Sequence, residues 1–457
     1  MPRPRSSDSR RLRGAIRAPW RRHRHTTDNQ YDACAGSVPA DPSDAARDDT
    51  NRWIEAETAL DRRGWAGWRT VLWLGVVSLL VDLVYEGARS ITGPFLASLG
   101  ASALTVGLVT GAGEAAALGF RLFSGPGADR TGRYWRWMVL GYALTALCVP
   151  LMALSPALGA AGLVFGAAMV LGERTGKAIR SPAKSVLLAV AARNVGRGRG
   201  FGVHKALDQT GAFLGPLLVA GVVALTTHQW AGLLVLAVPG AVALGVLAWM
   251  HRYVGDPPRA QATEGAPLVA LPHRFYVYAM ACALTTVGLM TFGVISFHLV
   301  HEHLVVAAVV PVVYAAAMGT EAVASLGTGF AYDRIGGGTL LVLPAVVAVV
   351  PVLVFTDHVG LAVGGVLLWG AATGVQDSTV KALVADLVPA SRLATAYGAF
   401  AAFQAVAALA GGALAGWLYD VHRGVLVATI AVAQAVALVL LAGVLLRSRR
   451  ERTSAAD

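Results

Sequence analysis

Charged side chains are scarce in this chain: Asp, Glu, Lys and Arg make up 14% of it and apolar residues 55%, where globular domains carry about 25% charge. That shortage excludes the series of soluble domains that 457 residues would otherwise allow. Alternating apolar and polar segments of about ten residues are also missing, which excludes a membrane barrel. Cysteine is limited to Cys34, Cys148 and Cys282, too few and too far apart for a disulfide framework or a metal-ligand set. Lysine is rarer than its charge partner arginine, with Lys177, Lys184, Lys205 and Lys381 the whole complement. What the chain does have is a series of apolar runs of about 20 residues or more between residues 69 and 446, each able to cross a hydrocarbon layer about 30 Å thick as a helix.

The formal net charge of +11 is unevenly placed. Arginines crowd residues 1–68, the linkers near 129–136, 190–199, 252–274, 334 and 392, and the tail from Arg447. The alternate linkers carry among them a single arginine, Arg423. Such asymmetry reads as topology and not as nucleic-acid binding, and it places both termini in the cytoplasm with an even number of crossings. The expected spans are 69–98, 102–125, 134–155, 158–181, 200–226, 229–251, 275–299, 306–330, 338–356, 359–387, 394–419 and 422–446. Trp65, Trp68, Trp135, Trp137, Trp230, Trp249 and Trp417 fall near span ends, where an amphipathic ring belongs. The expected fold is an all-α membrane protein of twelve transmembrane helices in two pseudo-symmetric six-helix bundles. Residues 68–251 and 275–446 form the bundles, 252–274 the cytoplasmic linker, and 1–67 and 447–457 cytoplasmic tails, the first too poor in large apolar residues to fold alone.

Two charged stretches repeat. Gly125-x3-Asp129-Arg130-x-Gly132-Arg133 follows the second apolar run and Gly329-x3-Asp333-Arg334-x-Gly336 the eighth, about 200 residues later. Phe201-Gly202 with Tyr397-Gly398, and Lys184 with Lys381, keep nearly the same offset. An internal duplication of six spans is the plan of a transporter that rocks around a central site. The first stretch resembles the signature loop of the major facilitator superfamily, over residues 68–447. Arg174 with Gly176 is similar to that superfamily's fourth-span arginine motif, and Gly211-x3-Gly215-Pro216 resembles the Gly-Pro motif of drug:proton antiporters, although LLVAG beyond Pro216 lacks one glycine of that pattern. The resemblance implies that Asp129, Arg130 and Arg133, with weaker echoes in Asp333 and Arg334, hold a cytoplasmic gate shut when the site faces outward. A loop of arginines that serves topology alone is the simpler alternative.

Charge also lies inside the spans. Asp82, Glu86 and Arg89 stand at i, i+4 and i+7, within about 60° of one helical face. Three such charges at about 2.5–3.5 kcal/mol each outweigh ten or so Leu, Val and Ile at about 0.3–0.6 kcal/mol, so that face needs partners or water. Glu86 and Arg89 are expected to pair, which leaves Asp82 for proton exchange. Glu114, Arg121, Glu173, Arg174, Lys177, His204, Lys205, Asp208, Glu321, Gln376, Asp377 and Lys381 lie at similar depth, with Asp377 and Lys381 spaced as an intrahelical pair. The proton-coupling or substrate set is Asp82, Glu86, Arg89, Glu114, Arg174, Asp208, Asp377 and Lys381. Static ion pairing between helices is the competing reading of the same residues.

Other signals are set aside. GERTGKA at 172–178 has the wrong glycine spacing for a phosphate loop and sits in a span. His298, His301, Glu302 and His303 gather at a span end on the outer side, and no metal is expected there. No cofactor, nucleic-acid partner or catalytic constellation is expected. The sequence points to a monomeric secondary transporter of the cytoplasmic membrane, exchanging protons for an exported small molecule. An uptake symporter or facilitator on the same fold, and a membrane sensor without transport, are the alternatives.

Overall fold

The computed structural model describes residues 65, 67–193, 195–257, 271–388 and 392–454. The readings of the amino-terminal tail and of most of the linker 252–274 therefore fall outside the described residues. All regular structure among them is helical.

The first span is Gly67–Ser98, and the second is a helix over Ala103–Gly119 continued by Arg121–Thr131. Tyr134–Met152 is the third, and a 3-10 turn at Ser155–Ala161 leads into the fourth, Gly162–Ala191. Arg197–Thr226 forms the fifth, and Gln229–Leu234 with Ala237–His251 the sixth. Two pieces, His273–Leu289 and Phe292–His301, make the seventh. Residues Val310–Val354 run as one stretch of 45 residues, which as a straight helix would measure about 67 Å, twice a hydrocarbon core. It is two spans. Val310–Ile335 ends at Gly336, whose φ of 64° breaks the helix, and a 3-10 turn over Gly336–Leu341 starts the ninth, Val342–Val354. Val359–Leu387, Leu393–Val421 and Arg423–Ser454 complete the twelve.

The same pairs of spans touch in each half: first with fifth and seventh with eleventh, second with fourth and eighth with tenth, third with sixth and ninth with twelfth. That repetition is the pseudo-symmetry implied by the duplicated loops. Between the halves the second span meets the eleventh, the fifth meets the eighth, and the first meets the seventh. Glycine sets the last contact: a Cβ added to Gly93 would lie 2.2 Å from the Gly293 carbonyl oxygen, so the two backbones pack closer than any side chain permits.

The apolar core of the first half is split in two. One cluster, around Val77, Met138 and Leu187, lies at the end bearing the arginine-rich turn, called here the basic end. The other, around Ile91, Met152 and Leu233, lies at the opposite end. The layer between them is the charged one. Large apolar side chains on the outer surface, such as Leu225 and Val164, are exposed as lipid-facing residues must be. Trp68, Trp230 and Trp417 are exposed near span ends, but Trp135 is buried and donates to Asp256 and Gly255, and Trp65 is buried against Trp249 and Tyr253. Their indoles close the bundle and do not anchor it in the interface.

Candidate functional site

The site begins with glycines of the fifth span. A Cβ on Gly211 or Gly215 would sit 2.1 or 2.2 Å from the carbonyl oxygens of Leu79 and Leu83, so this helix lies on the first with no side chain between them. Pro216 continues inside the same helix. The packing brings Asp208, one turn before Gly211, beside Asp82. Three cations serve the two carboxyls. Arg180 Nη2 is 3.6 Å from Asp82, Lys184 Nζ 3.6 Å and Lys205 Nζ 3.2 Å from Asp208. Arg180 also donates to Thr145 Oγ1 at 2.7 Å, and Lys184 donates to Ser78 Oγ at 3.0 Å, itself 3.0 Å from His204 Nε2.

A second group lies two turns deeper. Arg89 Nη2 is 3.0 Å from Glu114 Oε1 and its Nη1 is 3.6 Å from Glu86, so the expected Glu86–Arg89 pair is present but Glu114 is the closer partner. Arg174 stands 3.5 Å from both Glu114 and Glu173 and donates to the Tyr85 hydroxyl. Lys177 places its ammonium 3.7 Å from the centre of the Tyr85 ring, a cation–π contact. Glu86 also accepts a 2.5 Å hydrogen bond from Tyr314 of the eighth span, which ties the two halves together.

In the second half, Gly370 and Gly374 let the tenth span lie on the eighth, since a Cβ on either would meet the Ala317 or Glu321 carbonyl oxygen at 2.2 Å. Glu321 and Asp377 therefore share one wall. The side chain of Lys381 lies outside the described residues, and Asp377 has no ion-pair partner among those described. The seventh span is interrupted at the same depth. Met290 has φ 57° and ψ 176°, the Trp369 indole donates at 2.9 Å to the Leu289 carbonyl that the break leaves free, and the Thr291 and Thr110 hydroxyls meet at 2.7 Å across the halves.

The carboxyls, lysines and arginines described above, Glu173 and Arg174 apart, line one cavity of about 930 Å³. It runs from a floor at Met290, Thr291 and Trp369 to Gly125, Asp129 and Gly398 at the basic end. At the other end the halves are shut. Gly107, Gly111 and Gly412 pack backbone to backbone, the Leu104 amide donates to Asp420 at 3.1 Å, and Arg423 binds Glu302 and, at 3.3 Å, Asp357. The hydrogen bond from Arg423 holds the Glu302 carboxyl below the usual carboxylate range.

The signature turn sits at the open end. Gly132 caps Arg121–Thr131 with φ 63°, a left-handed conformation that suits glycine. Asp129 accepts from Tyr134 at 2.9 Å, within its own turn. Arg130 and Arg133 are exposed and, like Asp333 and Arg334, have no ion-pair partner among the described residues.

Residues 74–337, more than half the chain, match the family model described as Major Facilitator Superfamily. The chain belongs to the Major Facilitator Superfamily. An uncharacterized protein of Mycobacterium tuberculosis strain H37Rv is 50% identical over 387 residues, 82% of this chain and 93% of that protein. An uncharacterized MFS-type transporter of Methanocaldococcus jannaschii is 25% identical over 77% of this chain and 89% of its own. A crystal structure of a bacterial homolog to the human lysosomal transporter Spinster, inward-facing and occupied, superposes with a TM-score of 0.61 at 15% identity, covering 84% of this chain and 96% of that one. The superfamily fold makes this a multi-pass membrane transporter of a small-molecule substrate.

Within that fold, Asp82, Glu86, Arg89, Glu114, Asp208 and Asp377 all face the cavity, whereas Arg174 lies behind it against Tyr85 and Glu114. Sequence reasoning placed Glu321 at this depth but not in the set, and left Arg180, Tyr314 and the broken seventh span out altogether. Arg180 was hidden because it reads as the end of an apolar run. The break had one signal, Gly288 and Gly293 flanking a Thr in mid-span.

Proposed function

We propose that this protein carries a small molecule out of the cytoplasm in exchange for protons, by alternating access in the cytoplasmic membrane, as a monomer. Both termini face the cytoplasm by the arginine bias, so the conformer described is inward-facing. The bundles 68–251 and 275–446 rock about the midplane, with 252–274 as their tether. The observation that carries the reading is a charge-lined cavity built from both halves, open at the basic end and sealed at the other by cross-half glycines.

The coupling step is assigned to Asp82 and Asp208. Two adjacent carboxyls share Arg180, Lys184 and Lys205, so a proton taken up by either carboxyl frees a cation, and the freed cation repartitions the helices that carry it. The antiporter-like Gly211, Gly215 and Pro216 hold these carboxyls together, which supports exchange over symport. Outward opening breaks the Glu86–Tyr314 bond and the Gly93–Gly293 contact, and closes Asp129, Arg130 and Arg133 of the signature turn, with Asp333 and Arg334, over the cytoplasmic mouth.

Everted vesicles energised by respiration test the reading with fluorescent cations, anions and zwitterions. Proton-driven accumulation is expected, abolished by a protonophore and by Asp82→Asn or Asp208→Asn with membrane levels unchanged. Accumulation that survives the protonophore defeats the coupling, and accumulation in right-side-out vesicles instead defeats the direction.

A further inference from the structure

The charges around the cavity divide into those with a partner and those without. Every acid on the wall of the first half above the rim has a cation within 3.6 Å: Asp82 has Arg180, Glu86 and Glu114 have Arg89, and Asp208 has Lys205. Four lining charges inside the rim form no ion pair among the described residues. They are Arg121 and Lys177 of the first half, Lys177 resting only on the Tyr85 ring, and Glu321 and Asp377 of the second. Asp129, at the rim, is exposed and held by Tyr134. Among the described residues, which do not include the side chain of Lys381, the unpaired charge is thus sorted by sign, positive on one wall and negative on the other.

The two walls face each other. Arg121 and Asp377 line the same cavity, and no ion pair joins them. Buried hydrogen-bonding atoms are open on both sides as well, with Arg121 Nε a donor without an acceptor and Gln376 Oε1 an acceptor without a donor. Unmatched charge at this depth in a membrane is unfavourable unless something binds it, and a ligand of one sign would satisfy one wall and leave the other bare. The floor adds Met290 and the Trp369 ring, which suit an apolar body between two charged ends.

We infer that the transported molecule is a small zwitterion, its ammonium group held by Glu321 and Asp377 and its carboxylate by Arg121 and Lys177. This rests on the cavity being the substrate site. A single-sign molecule leaves two like charges facing an empty partner wall, whereas an amino acid or dipeptide-sized zwitterion neutralises one of each and bridges the halves. Bridging also couples binding to rocking, because drawing the two walls together closes the cytoplasmic mouth.

The test uses the full chain in nanodiscs and a panel of amino acids, ω-amino acids of graded length and dipeptides, each beside its N-acetyl and its C-amide form, with binding read by thermal shift and radioligand competition. Zwitterions are expected to bind, and each blocked form to bind more weakly by about tenfold or more. Glu321→Gln and Asp377→Asn should erase discrimination against the N-acetyl form alone, and Arg121→Gln and Lys177→Gln discrimination against the amide alone. Retained discrimination at the untouched end shows that each variant is folded. The assignment is overturned if no zwitterion binds, if a blocked form binds as well as the free one, or if the four variants alter both ends alike. Proteoliposome counterflow separates this from the carrier reading: a zwitterion bound but not moved defeats transport and leaves the charge assignment, while flux confined to a compound of one sign does the reverse.

Discussion

At the scale of single residues the decisive feature is the hydrogen bond from Tyr314 to Glu86, because it joins the halves inside the site. Tyr314→Phe keeps the ring packed on Phe292 and removes only the donor. A hydrogen bond to a charged group contributes about 1.5–3 kcal/mol, so the conformer open at the basic end should fall in population by about tenfold relative to one open at the other end. Spin-label distances across the two ends of the bundle check this, and unchanged distance distributions would refute it. A pH effect belongs to the end opposite the basic one. Arg423 lowers the Glu302 carboxyl below its ordinary value, so the contact stabilises the folded protein above that ordinary value and the contribution is lost as pH falls through the lowered one. Glu302→Gln should lower the melting temperature at pH 7 and make no difference in acid below both values, as thermal unfolding in detergent at the two pH values will show.

At the scale of elements, glycine and one strained residue govern the contacts. An added methyl at Gly93 would lie 2.2 Å from the Gly293 carbonyl oxygen, and at Gly412 2.3 Å from that of Gly107. Backbone atoms yield little, and overpacking costs about 1–3 kcal/mol. Gly93→Ala and Gly412→Ala are therefore expected to open the outer end, so that a thiol introduced near the cavity floor reacts with a membrane-impermeant reagent from outside; unreactive thiols would count against the seal. Met290 presents the reverse case. Its φ and ψ fall where only glycine is unstrained, so of two variants that both lose the buried side chain, Met290→Gly should be more stable than Met290→Ala by about 1 kcal/mol, and equal melting temperatures would show that the backbone there is not strained.

At the scale of the molecule, topology is the claim most open to test. Reporter tags after residues 100, 157 and 228 are expected outside the cytoplasm, and tags after 195 and 257 inside. Any tag on the wrong side would redraw the spans and reverse the facing of the cavity.

The sequence alone determined the twelve crossings, the duplication and the clustering of charge at one depth, because these follow from hydropathy, arginine placement and spacing along the chain. The ends of the sixth and tenth spans agree to the residue with Gln229–His251 and Val359–Leu387. The third span stops at Met152 and the eighth runs to Ile335, since a 3-10 turn and a left-handed glycine end helices where hydropathy does not change. Asp82, Glu86 and Arg89 were legible as one face because they lie on one helix. Their partners were not. Arg180 and Tyr314 come from helices far from the first in the chain and meet Asp82 and Glu86 only once those helices pack, so which charges are matched was decided by the tertiary structure.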